Sequence, residues 1–252
     1  MIYSKQDFEG LRIAGRKAAE TLDFIAPYVV EGVSTLDLDR LVAEHTKKLG
    51  GICACLGFEG YPKSCCISRN DVVCHGIPSK HEFLADGDIV NVDVTTIFNG
   101  YYGDTSRMYM IGEVAPRARE LASVAYEAMM SAIGACRPGV KFGEIGRIIS
   151  ALARAHGFSV VEDFCGHGIG TSFHESPNVL HYENRESDLL TMSEGMVFTI
   201  EPMINTGAIG TVIDKSNGWT ARTVDGGLSA QWEHTIGITE SGYEIFTKNS
   251  AF

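Results

Sequence analysis

The sequence predicts one α+β domain made of two similar halves, each running helix, helix, then antiparallel strands. Three observations predict it. The chain has 252 residues, enough for one large, well-buried domain. Its hydrophobic period switches from helical to strand-like twice along the chain. A weak internal repeat lays residues 31–51 over 138–158, a shift of 107, so that Gly32, Val33, Arg40 and Gly50 meet Gly139, Val140, Arg147 and Gly157. One residue of drift later, Gly87 meets Gly195 and Asp93 meets Glu201. The halves span about 5–111 and 116–248, with one site expected between them.

The elements follow in order. Ser4 with Asp7 forms a capping-box pattern, and residues 5–29 read as an amphipathic helix. Gly32 interrupts it. Ser34 caps a second helix over 35–49, which Gly50 and Gly51 end. Residues 52–86, rich in Gly, Cys, Pro and Asn, read as loops with short strands. Residues 88–98 are β-branched and partly alternating, hence a strand, and Asn99-Gly100 is a strong hairpin signal that brings 101–111 back as its partner. Helices recur from Pro116 to Cys136 and from Phe142 to His156. Strand-like runs follow at 159–162, 196–201, 208–213, 219–224, 233–239 and 243–247.

Composition narrows the function. Apolar residues at 44% and charged residues at 21% describe an ordered globular chain. No run approaches the 18 consecutive apolar residues of a membrane span, and the N-terminus lacks the apolar core of a signal peptide, so the cytoplasm is the expected location. With 21 basic against 32 acidic residues the net charge is −11, and no basic cluster suits a phosphate backbone. The acidic field favours cationic partners instead, such as a peptide amine or a divalent metal. Seven cysteines, an odd number without an export signal, argue against a disulfide framework. The C-x-C and C-C spacings between Cys53 and Cys74 are not those of a zinc knuckle. The run Gly166–Gly170 is not a dinucleotide fingerprint, because Pro177 spoils a following helix, and no nucleophile elbow or P-loop is present. Cys74 and His75, adjacent on a strand, point apart and make a poor nucleophile–base pair.

The hairpin carries the first chemical signal. With Asn99-Gly100 as its loop, Asp93 opposes Ser106 and Asp104 opposes Thr95, so Asp93 and Asp104 share one face as diagonal neighbours. Two carboxylates converging on an otherwise apolar face require a positive partner. Arg107 has the opposite parity and points to the other face, which favours a metal over an Asp–Arg pair. Glu201 ends one strand-like run and Glu233 starts another, while His167 and His174 lie on a loop and strand edge. An acidic set with one or two histidines suits Mn2+, Fe2+, Co2+ or Zn2+. Four carboxylates with few positive neighbours balance two divalent ions. His45, His81, His156, His181 and His234 read as structural or surface histidines, His234 facing away from Glu233 by strand parity.

Taken together, DVVCHGIP (71–78), NVDV and GDTSR (91–107), GHGIGTSFHE (166–175), TIEP (199–202) and SAQWEHT (229–235) resemble the type I methionine aminopeptidases, from about residue 5 to 248. The resemblance implies the pseudo-two-fold "pita-bread" α+β fold, an antiparallel curved sheet with helices on its outer face. It implies removal of N-terminal methionine from new proteins whose second residue is small, through a dimetal-activated water. Carried over, Asp93, Asp104, His167, Glu201 and Glu233 are the metal ligands, with Asp104 and Glu233 bridging. Glu201 is the general base, His174 stabilises the oxyanion, and His75 contacts the scissile nitrogen or guides substrate. Cys55, Phe58, Tyr61, Cys66, Phe173 and Trp219 wall the methionine pocket. A monovalent cation near Asn70, Val72 and Ser229, a monomeric state and a transient ribosome contact also follow from it. Phe58, Trp232 and Thr171 depart from residues common in the family, and Cys65 beside Cys66 adds a thiol. A proline-directed dimetal peptidase is the second reading, disfavoured because this chain has no room for that group's extra N-terminal domain. The roughly 60-residue late insertion of type II methionine aminopeptidases is also missing. A non-catalytic module on the same fold is the third, disfavoured because all five ligand positions hold competent residues.

Overall fold

The computed structural model describes residues 1–249. The chain runs α1 (Lys5–Ile25), α2 (Thr35–Lys48), β1 (Ile52–Cys53), β2 (Cys66–Arg69), β3 (Val72–Cys74), β4 (Ile89–Phe98), β5 (Tyr101–Met110), α3 (Pro116–Ala135) and α4 (Gly143–Ala155). Then follow β6 (Ser159–Val160), β7 (Gly166–Gly168), β8 (Glu175–Val179), β9 (Val197–Ile200), β10 (Met203–Asn205), β11 (Thr211–Ile213), β12 (Ala221–Thr223), β13 (Ser229–Gln231), β14 (Glu233–Ile238) and β15 (Tyr243–Ile245). No helix among the described residues is long and apolar enough to cross a membrane.

Local chemistry sets the boundaries. Asp7 N–H donates to Ser4 Oγ at 3.2 Å and Ser4 N–H donates to Asp7 Oδ2 at 2.8 Å, the reciprocal cap read from the sequence. Ser34 caps α2 through Asp37 N–H. Helix α1 stops at Ile25, short of residue 29, because Pro27 offers no N–H and crowds the preceding turn, leaving Ala26–Tyr28 as a 3-10 turn. The run around His167, read as loop and strand edge, pairs instead as β7 and β8, with Gly166 opposite Val179 and His167 opposite Asn178.

A nine-stranded sheet orders β1-β4-β5-β14-β9-β7-β8, with β2 also on β4 and β15 on β14. The β4–β5 register is the one that the Asn99-Gly100 turn dictates: Asp93 faces Ser106 and Thr95 faces Asp104. One face of this hairpin carries Val92, Val94 and Tyr109 into a core with Leu22, Ile25, Leu38 and Val42 from α1 and α2. Arg107 lies on that face and reaches Asp23 at 3.4 Å, leaving the other face to the carboxylates. A second core gathers α3 and α4 over Phe198, Ile200 and Ile236. Trp232 turns toward this core, its Nε1–H donating to Ala122 O at 2.9 Å.

Helix α1 approaches β5 closely at Gly103, where an added Cβ would lie 2.4 Å from Gly15 N. Helix backbone cannot give way as a flexible side chain would. Gly103→Ala therefore costs about 1–3 kcal/mol or more by forcing α1 off the sheet. Thermal unfolding checks this, and an unchanged Tm contradicts the close packing.

Candidate metal centre and substrate cavity

The carboxylate face of the hairpin floors a cavity of about 590 Å³. Four strands and a strand end deliver its polar residues. Asp93 and Asp104 come from β4 and β5, Glu233 opens β14 opposite Ser106, Glu201 follows β9, and His167 is central in β7. Residues separated by up to 140 positions thus meet because β5, β14, β9 and β7 are successive neighbours in the sheet.

Ligand atoms of Asp104, His167 and Glu233 lie within 4.8 Å of one another. His167 Nε2 is 3.7 Å from Asp104 Oδ2 and 3.6 Å from Glu201 Oε1. Neighbouring hydroxyls and amides hold these groups. Thr95 Oγ1 donates to Asp104 Oδ1 at 2.7 Å, and Thr199 Oγ1 donates to Glu201 Oε1 at 2.7 Å. Gln231 Nε2 donates to Glu201 Oε2 at 3.1 Å, and Glu201 N–H donates to His181 Nε2 at 3.1 Å.

The residues fit a divalent metal on three counts. First, Asp93 Oδ1 is buried with no hydrogen-bond partner, which is costly unless a cation supplies one. Second, the carboxylates crowd each other. Burial, then repulsion from Asp104 and Glu201, drives Asp93 and Glu233 well above the usual carboxylate range. Burial likewise lifts Asp104 to about 7 and Glu201 to about 8. Among the described residues no Lys or Arg lines the cavity to relieve them. Third, His167 Nδ1 sits 3.0 Å from Gly168 O. A carbonyl only accepts, so Nδ1 carries the proton and the lone pair of Nε2 faces two carboxylates. Burial pushes His167 down to about 3, so protonation does not resolve the clash. An imidazole oriented by its distal N–H, aimed at converging carboxylates, is a metal-ligand arrangement. The cluster contains no cysteine, and all seven thiols are free.

One wall of the cavity is apolar. Cys55, Tyr61 and Cys66 form a buried patch against Ile77, Phe173 and Trp219. Phe58 lies 4.8 Å from Phe173, and Tyr61 meets Trp219 edge-on at 5.2 Å. The Cys55 thiol is held well above its usual range by its hydrogen bond to Cys66 and by burial, so it stays neutral. His75 follows β3 in a left-handed conformation, φ +56°, beside Trp219 and Phe164. Burial and the nearby His174 bring His75 down to about 4. His174 stands at the cavity mouth, edge-on to His167 at 4.3 Å, and burial lowers it too. All thirteen residues named from the sequence as ligands, acid–base groups or pocket walls therefore line this one cavity.

Several contributors escaped the sequence reading. His181, assigned a structural role, is buried against the Glu201 backbone. Thr95 was within reach, since the hairpin arithmetic already placed it opposite Asp104, and Thr199 shares a face with Glu201 by strand alternation. Phe164 and Met203 also line the cavity, and nothing in their local pattern marks them. His234 does face away, bonding Thr247 Oγ1 at 2.9 Å. Away from the cavity, Ser229 N–H donates to Asn70 O at 2.8 Å, and Ser229 Oγ is buried without a partner, as is Oδ1 of its cross-strand neighbour Asn205.

Such a cluster is a candidate divalent-metal centre, and the family match makes the chain a metal-dependent peptide hydrolase. The chain belongs to metallopeptidase family M24, which it matches over residues 9–240. A methionine aminopeptidase from Rickettsia prowazekii is 51% identical over 246 residues, covering 98% of this chain and 94% of that protein. Its counterpart in Escherichia coli K12 is 49% identical over 249 residues, covering 98% and 93%. The crystal structure of methionine aminopeptidase from Rickettsia prowazekii aligns with a TM-score of 0.96 at 50% identity, over 98% of this chain and 99% of that one. The α+β pita-bread architecture expected from the sequence is the one found.

Proposed function

We propose that this chain is a methionine aminopeptidase that hydrolyses the first peptide bond of new proteins whose second residue is small. One observation carries the mechanism: three buried carboxylates, the half-buried Asp93 and a histidine whose Nε2 faces them converge at the floor of a cavity that, among the described residues, no Lys or Arg lines. Two divalent ions, drawn from Mn, Fe, Co or Zn, fit this charge. Asp93 would hold one, His167 and Glu201 the other, and Asp104 and Glu233 would serve both. When bound, the ions polarise the scissile carbonyl and lower the pKa of water.

The protein's own groups do the rest. Glu201, held by Thr199 Oγ1 and Gln231 Nε2, accepts the proton of the attacking water and passes it to the departing amine. His174, whose pKa partial desolvation lowers, presents an N–H to the carbonyl oxygen as negative charge develops there. His75 contacts the scissile nitrogen. Cys55, Phe58, Tyr61, Cys66, Phe173 and Trp219 enclose the methionine side chain, because neutral thiols and ring edges suit a thioether. The unpartnered Ser229 Oγ supports a monovalent cation near Asn70, Val72 and Ser229. The chain works as a single catalytic domain of two halves, a cytoplasmic monomer in transient contact with the ribosome.

The test is hydrolysis of Met-Ala-Ser, Met-Arg-Ser, Ala-Ala-Ser and Ala-Pro-Ser by metal-stripped protein reloaded anaerobically with Mn2+, Fe2+ or Co2+. Metal-dependent release of methionine from Met-Ala-Ser, with Met-Arg-Ser at least about tenfold slower, is the expected outcome. Equal rates on those two peptides refute the small-residue rule. Cleavage of Ala-Pro-Ser alone transfers the chain to the proline-directed branch, and inactivity of folded protein with every metal leaves a binding module.

A further inference from the structure

The loop that carries Phe173 and His174 is pinned by a residue near the other end of the chain. Tyr3 is 7% exposed and packs with Phe8, Leu11 and Ile169. Its backbone N–H donates to Gly195 O at 2.7 Å, which fixes the segment ahead of α1 against the turn that precedes β9. Its hydroxyl then does two things at once. It donates to Glu175 Oε1 at 2.7 Å and accepts the Thr171 N–H at 2.9 Å. Glu175 Oε1 also accepts the Ser172 N–H at 3.0 Å, so one phenol oxygen and one carboxylate oxygen tie both ends of the segment Thr171–Glu175 together. Gly170 permits this approach, since a Cβ there would lie 1.9 Å from the Tyr3 hydroxyl.

Within that tied segment, Phe173 and His174 stack at 4.4 Å and 10°, and Phe173 leans on Tyr102 at 5.8 Å. The tie therefore fixes where His174 stands over the carboxylate cluster, with Glu175 at the cavity wall and the phenol behind it. Tyr3 does not line the cavity.

We propose that Tyr3 is a positioning residue for the reaction: its hydroxyl sets the loop that aims His174 at the carbonyl oxygen of the substrate. This rests on the aminopeptidase reading and on the role given to His174 there. A donor aimed at developing charge must be held within a fraction of an ångström, whereas an apolar wall tolerates more play. Losing the tie should therefore lower turnover more than it weakens substrate binding.

The experiment is a double-mutant cycle on metal-loaded enzyme with Met-Ala-Ser, each variant first shown to be folded by circular dichroism at the assay temperature. Tyr3→Phe keeps the packing and removes only the hydroxyl. It is expected to lower kcat about 10-fold while KM changes less than about 2-fold. In the His174→Ala background the same substitution is expected to cost nothing further in kcat, because the group it aims is gone. A Tyr3→Phe enzyme with parental kcat overturns the proposal. So does a loss that persists in full in the His174→Ala background, which marks Tyr3 as a general stabiliser. Parental kcat in His174→Ala alone overturns the role of His174 and, with it, that of Tyr3. No hydrolysis of Met-Ala-Ser by the metal-loaded parent itself overturns the aminopeptidase reading and this proposal together.

Discussion

Glu201→Gln is expected to lower kcat by about 10³-fold and yet to raise the melting temperature of the metal-free protein. The two effects have one origin. The amide is isosteric, so it can still accept from Gln231 Nε2 and bond Thr199 Oγ1, and the strand end keeps its place. What it lacks is a proton-accepting oxygen for the attacking water and a negative charge toward the metals. That same charge is a liability in the metal-free cluster, where burial, then Asp104, lifts Glu201 to about 8 from an ordinary 4.5. A carboxyl whose folded value is raised contributes stability below its unfolded value and loses it as pH climbs through the folded one. Gln removes that loss. The variant should match the parent near pH 4.5 and melt about 5 °C higher at pH 8. Calorimetry across pH beside a peptide assay measures both. Full activity in the variant refutes the mechanism, and an equal melting temperature at pH 8 refutes the crowded-carboxylate account.

Metal removal has the second large effect. Chelation should cut activity by at least about 10³-fold, and affinity for the returning metal should climb about tenfold per pH unit for each proton displaced. Asp104 at about 7 and Glu201 at about 8 place that climb between pH 6 and 8. Stability follows the same logic with opposing signs. The raised carboxyls withdraw stability from the metal-free protein as pH rises from about 4 to 8. Buried His75 at about 4, His181 at about 3 and His234 at about 4 act on the other side. A depressed histidine contributes fully above its ordinary 6.5, and that stability is lost as pH falls through the folded value. The metal-free protein should therefore be most stable on the acid side of neutrality, and metal loading should move the optimum upward. Titration calorimetry at pH 6, 7 and 8 reads the coupling. A metal affinity that does not vary with pH contradicts it.

Most of the site was legible because its signals are local or carried by motif. The Asn99-Gly100 turn fixes a register, and register alone puts Asp93 and Asp104 on one face and Arg107 on the other. Glu201 and Glu233 needed the repeat and the family motifs, since nothing within their own strands says that β9 and β14 are neighbours. The positioning residues were less legible. His181 looks like any core histidine in sequence, and only tertiary packing sets it under the Glu201 amide. Tyr3 lies 168 positions from Thr171, and no periodicity links them. The short strands β7 and β8 hid behind glycines and a proline that argue for loop, until pairing with Phe198 and with each other overrode propensity.

The order in which the sheet is strung also governs how the molecule comes into being. Strand β5 finds its partner β14 only after some 120 further residues have been made, through the pairs Thr105–His234 and Ser106–Glu233. During synthesis at about 5–20 residues per second, the β4–β5 hairpin and its helices emerge with an open edge of unpaired amides and two acids as diagonal neighbours on one face. Strand β14 closes that edge and brings Glu233 to the other carboxylates in the same step, a non-local pairing of the kind that makes folding slow. A chain cut short ahead of Glu233 therefore has no reduced version of the activity to offer. Its open β5 edge is a template for edge-to-edge association.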